Sequence, residues 1–175
     1  MGALVTLEDS TRRRCAVGLH VAAAVQAASS AFLMLDGSLF GAHTTAMTLA
    51  YALLMAEAVL LALNFRKVAT ADARIAAIQR HMVVNLAALS FAAVGFFSIY
   101  ANKSRMGKAH FQSLHAKLGL TAFLCSAAIV LSGAVSFRKL GILQYVPQHL
   151  QAMVKYGHRV VSRRSRDSRR RSYRG

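Results

Sequence analysis

Four of the seven histidines, His43, His81, His115 and His158, stand at the edges of apolar stretches. His115 is the plainest case. Residues Asn102–Gly119 pack four basic side chains and two histidines between two apolar runs, and no charge follows from Leu118 to Phe137. A lone imidazole at a membrane edge is usually an amphipathic side chain at home among headgroups, and His20, His110 and His149 read that way. Histidines paired at one depth could do more. Zinc takes four ligands, with cysteine or carboxylate commonly among them, and none are at hand. Haem iron needs only two axial ligands, because the porphyrin supplies the other four. A site with both axial positions filled passes electrons and does not bind gas.

Such pairing requires helices that cross a membrane in alternating directions. Cys15–Leu35, Thr44–Phe65, Met82–Tyr100 and Leu118–Phe137 are apolar runs, and Glu57 is the one acidic or basic side chain in all four. Each approaches the roughly 20 residues needed to cross a bilayer core. Lipid offers the backbone no hydrogen bonds, so runs of this kind must be helical. The sequence predicts an all-α, polytopic membrane bundle with four recognisable spans. Thr11–Arg14 places the N-terminus inside by the positive-inside rule. Asp36–His43 then lies outside, and the connection carrying Arg66, Lys67, Arg74 and Arg80 lies inside. The loop Asn102–Lys117 falls outside although it is basic, for which a bound anion is a physical reason. His43 and His115 therefore share the outer boundary, while His81 and His158 share the inner one.

Glu57 comes 14 residues after His43, about 21 Å further along a helix, toward the inner side. It is either a hydrogen-bonded bundle residue or a proton-handling group, since intramembrane acids are costly; a small transporter built on Glu57 is the weakest of the readings. Leu143, Val146, Leu150, Met153 and Val154 recur at helical spacing within Leu140–Val154, a stretch too short to span and suited to an interfacial helix. Residues 159–175 hold eight arginines against Asp167. Beside a membrane domain this is a cytoplasmic tail that touches anionic lipid. No nucleic-acid partner is expected, because the tail has one aromatic, Tyr173, and no folded reading element. The whole chain is 175 residues with 55% hydrophobic composition and a single proline, which fits one membrane domain. Cys15 and Cys125 do not make a disulfide framework.

His43 with Leu54-Met55-Ala56-Glu57-Ala58 downstream, Arg80-His81, and Gly107-Lys108-Ala109-His110 through Ser113-Leu114-His115 and Gly119 together resemble the cytochrome b561 family. The likeness is greatest to its short, domain-containing members, and it covers residues 15–158, between a cytoplasmic segment 1–14 and the basic tail 159–175. The resemblance implies a six-helix membrane cytochrome with two b-type haems. It implies an electron taken from cytoplasmic ascorbate and delivered outside to monodehydroascorbate or ferric iron. His43 and His115 would ligate the outer haem, and His81 and His158 the inner one. Arg80 and Lys155 would hold the ascorbate anion inside, with Lys103 and Lys108 as the outer candidates. No residue is expected to act as a covalent or acid–base catalyst. Lipid and a second copy of the chain complete the expected partners, in an endomembrane (endoplasmic reticulum or vesicle) rather than the plasma membrane. Two departures stand out: Thr44 follows His43 where the family commonly has proline, and four of the six spans are recognisable before the arginines begin. The reading from another class is a shortened, non-catalytic scaffold or partner subunit that keeps at most one haem.

Overall fold

The computed structural model describes residues 2–34, 36–65, 70–137, 140–153 and 156. Helix α1 runs over Gly2–Met34, α2 over Leu39–Met47 and α3 over Ala56–Phe65, with a π-helical stretch, Thr48–Met55, joining α2 to α3 without a break. Helix α4 is Ala71–Arg105 and α5 is Leu114–Ser136. Among the described residues, four segments are long and apolar enough to cross a membrane: Arg14–Phe32, Leu39–Leu63, Ala71–Arg105 and Leu114–Ser136. These match the four expected spans, though α4 extends past the expected Met82–Tyr100 at both ends. His81 therefore lies within a helix and not at its entrance. Val17, Val21, Val25, Phe32, Val83, Val94 and Phe97 are exposed, as suits side chains that face lipid.

Residues 1–118 make one compact unit. In it α4 packs along α2, the π-helical stretch and α3, while α1 packs on α2 and the π-helical stretch. Small residues make the approach close. Ala46, Ala50, Ala58, Ala88, Ala92 and Gly95 are all buried, Ala50 and Ala88 completely. The four-residue spacing of Ala46 with Ala50 and of Ala88 with Ala92 is the small-xxx-small pattern by which membrane helices bring their backbones together. Hydroxyls turn back on their own helices, Thr48 to the Thr44 carbonyl, Ser90 to Leu86 and Ser98 to Val94, so they need no partner from lipid.

The turn into α2 is built by its own residues. Ser38, in extended conformation, is the N-cap, and its Oγ accepts from the Gly41 amide at 2.9 Å. The Ser38 amide in turn donates to Asp36 Oδ1 at 2.9 Å. Hydrogen bonding of the Asp36 carboxyl to Ser38, to its hydroxyl first and to its amide second, holds that carboxyl below its ordinary value. A Cβ on Gly41 would collide with the Met34 carbonyl, so glycine is required where the chain doubles back. Ser38→Ala should lower stability by about 1 kcal/mol, read as an earlier thermal melt in detergent. A depressed carboxyl stabilises the fold above its unfolded titration range and stops doing so as the pH falls through the folded one. The gap between Ser38→Ala and the parent should accordingly narrow in acid.

The other end of α4 closes with a Schellman arrangement. Gly107, at φ +63°, donates to the Ser104 carbonyl at 3.2 Å, and Lys108 N–H donates to the Lys103 carbonyl at 3.0 Å. A left-handed glycine there satisfies carbonyls that would otherwise have no donor. The loop then folds onto α4. His110 stacks on Tyr100 with ring centres 4.0 Å apart, its Nε2 lies 3.2 Å from Ser104 Oγ, and Phe111 stacks near Phe96. Phe111 is itself left-handed, at φ 55°, a conformation a bulky residue holds only where its surroundings fix it. Ser113 Oγ accepts from the Ala116 amide at 3.2 Å and starts α5.

Residues 119–175 form the second unit. The interfacial helix expected over 140–154 is interrupted. Ile142–Tyr145 is a 3-10 turn that follows left-handed Gly141, and helix resumes at 148 once Pro147, which has no N–H to donate, has been passed. Leu150, Met153 and Tyr156 are exposed. Cys15 and Cys125 are both free thiols.

Candidate functional site

Two of the four singled-out histidines sit on the α4 interface, each held the same way. The His43 ring, half-buried on α2, places Nδ1 2.9 Å from the Gly95 carbonyl of α4. The His81 ring, half-buried on α4, places Nδ1 2.8 Å from the Ala58 carbonyl of α3. A carbonyl only accepts, so Nδ1 carries the proton in both rings and Nε2 is the basic nitrogen. This arrangement is what presents an imidazole to a metal, because the bond at one nitrogen sets tautomer and orientation for the other. Among the described residues no hydrogen bond engages His43 Nε2. Asn85, one turn after His81, lies 3.3 Å from both ring nitrogens and donates more closely, at 2.8 Å, to the His81 carbonyl.

The two anchors define two levels. His81 and Gly95 are 14 residues apart on the continuous helix α4, which is about 21 Å along the axis, well over half of a ~30 Å hydrocarbon core. Along the antiparallel partner, 15 residues separate His43 from Ala58. The π-helical stretch between them takes up the additional residue, since a π turn is an α turn widened by one. Without it, one of the two rings would rotate off the interface. Packing at the His43 level is tight: a Cβ on Gly95 would lie 3.1 Å from Met47 Cγ and 3.3 Å from the His43 carbonyl.

The remaining candidates are less engaged. His115 is exposed at the second position of α5, and among the described residues no hydrogen bond links it to His43. His158 and Lys155 lie outside the described residues. Arg80 is exposed beside His81, Lys103 is half-buried in the last turn of α4, and Lys108 is exposed on the loop. Among the described residues no three histidine, cysteine or acidic side chains gather as a metal site. Two rings are enough for haem iron, because the porphyrin brings the other four ligands. Thr45 Oγ1 and Tyr51 Oη, three residues before and after the start of the π-helical stretch, are buried oxygens with no hydrogen-bond partner among the described residues.

Sequence reasoning missed one contact. His20, which reads in the sequence as an ordinary interfacial histidine, bonds through Nδ1 to Glu57 Oε1, joining α1 to α3. A signal was available. His20 lies six residues in from the Arg14 end of its span, and Glu57 six residues in from the Leu63 end of the next, so antiparallel spans put them at one depth. Polar groups within spans pair with one another.

A family model for eukaryotic cytochrome b561 matches residues 42–163, a stretch that takes in all four histidines. The chain belongs to that family. Its similar relatives include transmembrane reductase CYB561D2 of Bos taurus, 32% identical over 133 residues, which are 76% of this chain and 57% of the relative. The Homo sapiens protein of the same name is 32% identical with the same coverage, and that of Mus musculus 31% identical over 122 residues, 70% of this chain and 52% of the relative. The chain thus spans little more than half the length of these relatives. No solved structure matches it. As a member of the cytochrome b561 family with four apolar helices, it is an integral, multi-pass membrane protein. The b561 match also gives the two ring anchors a context, since the family is one of cytochromes.

Proposed function

We propose that this protein carries electrons across its membrane through b-type haem, from cytoplasmic ascorbate to monodehydroascorbate or a ferric chelate on the other side. The supporting observation is the pair of carbonyl-anchored imidazoles, His43 of α2 and His81 of α4, held at two levels about 21 Å apart along α4. Haem b supplies one-electron iron chemistry when bound. The chain's own residues do the rest. His43 Nε2 serves the outer level and His81 Nε2 the inner one, each oriented by its Nδ1 bond. By the family resemblance His115 and His158 would be the second ligands, outer and inner. The small-residue interface of α2, α3 and α4 keeps both anchors rigid and excludes water. Arg80 and Lys155 attract the ascorbate anion inside; Lys103 and Lys108, joined through the backbone bond at the end of α4, attract the acceptor outside.

Purified protein reconstituted into ascorbate-loaded vesicles tests this. Reduction of external ferric citrate, with a reducible b-type absorption band, is the expected result. A protein with no such band would instead be a membrane scaffold, and one with the band but no transfer would be a haem protein of another kind.

A further inference from the structure

The His20–Glu57 pair lies apart from the anchors yet close to one of them. Glu57 adjoins Ala58, whose carbonyl orients His81, and its carboxylate meets His20 from α1. Both side chains are ionisable groups inside apolar spans, where such groups are expensive and seldom kept for packing alone. The bond needs one proton between Nδ1 and Oε1, and His20 Nε2 is then a second basic nitrogen. The pair therefore holds one proton or two, and its charge changes by one unit between these states. The His20 side chain is 47% exposed and that of Glu57 26%. Six residues separate His20 from the Arg14 end of its span, about 9 Å of helix, so a proton can reach it from the inner face.

We infer that His20 and Glu57 form the site at which one proton is bound as an electron arrives at the His81 level. This rests on the electron-transfer reading above. In a low-dielectric interior an added negative charge is strongly felt by neighbouring groups, and protonation of His20 Nε2 neutralises it. The balance is one electron and one proton taken up together. An ene-diol reductant such as ascorbate releases both on oxidation. Among the described residues, the other titratable groups on the elements packed against α3 lie elsewhere along their helices. Arg14 and Cys15 stand at the end of their span, Asp72 and Arg74 in the first turn of α4, and Tyr100, Lys103 and Arg105 at its far end, while Arg80 is exposed beside His81. Tyr51 lies in the π-helical stretch, and the His81 ring is engaged by Ala58.

The test is a redox titration of the purified protein between pH 5 and pH 9, followed by haem absorbance, for the parent, Glu57→Gln and His20→Gln. In the parent, the potential of the His81 level should fall with rising pH, by up to about 59 mV per unit, the one-electron equivalent of a tenfold change. Both variants should keep the haem band and lose most of that slope. A parent with pH-independent potentials overturns the inference, even if neither variant folds. So does a slope that persists in folded variants. In either case the haem band would still stand for the electron-transfer reading, whereas its absence from the parent removes both.

Discussion

His81→Ala should remove one of two b-type haems and leave the other, and His43→Ala should do the reverse. The expected result is a halved reduced-minus-oxidised band in each variant, no band in the double variant, and loss of transmembrane ferric citrate reduction in all three. Each histidine is a half-buried ring fixed by a carbonyl of a neighbouring helix, so alanine removes the ligand nitrogen and its orienting bond at once. The two levels lie about 21 Å apart on α4, so the effects should be independent. His110→Ala is the control. Its ring is spent on Tyr100 and Ser104, and its loss should leave both haems bound. Equal loss of both haems in either single variant would mean that the rings act on global folding instead.

Gly95→Val should separate the two levels by a different route. Its carbonyl anchors His43, and even a Cβ there would press on Met47 and on the His43 backbone. Overpacking of this kind costs about 1–3 kcal/mol. Displacing an orienting partner of a metal ligand typically costs 10–100-fold in affinity. The variant should melt earlier and release the outer haem on dilution while keeping the inner one. Ser98→Ala, one turn away with its hydroxyl bonded to its own helix, should do neither. Retention of both haems by Gly95→Val would show that the carbonyl bond does not position His43.

The four spans were legible because length and apolarity alone decide what can cross lipid. The candidate histidines stand out by their alternation along a serpentine chain, but the carbonyl anchors of His43 and His81 depend on which faces of neighbouring helices meet, which alternation does not give. Three further features were not legible. The π-helical stretch depends on how residue counts compare between partner helices, which no local pattern of Thr48–Met55 reveals. Arg74 and Arg80 read as loop in the sequence, which puts His81 at a helix entrance, whereas α4 simply carries these charges on an extended end. His20 looked ordinary because a lone histidine carries little information until its partner is known. The aromatic closure of residues 106–113 had a cue in Tyr100 and His110, but stacking depends on the turn that Gly107 makes.

Electron paramagnetic resonance of the oxidised, intact chain measures most directly whether imidazoles hold iron at two levels. Two low-spin bis-imidazole signals are expected, one abolished by His43→Ala and the other by His81→Ala. A high-spin spectrum, or low-spin signals that survive both substitutions, would contradict the assignment of these rings.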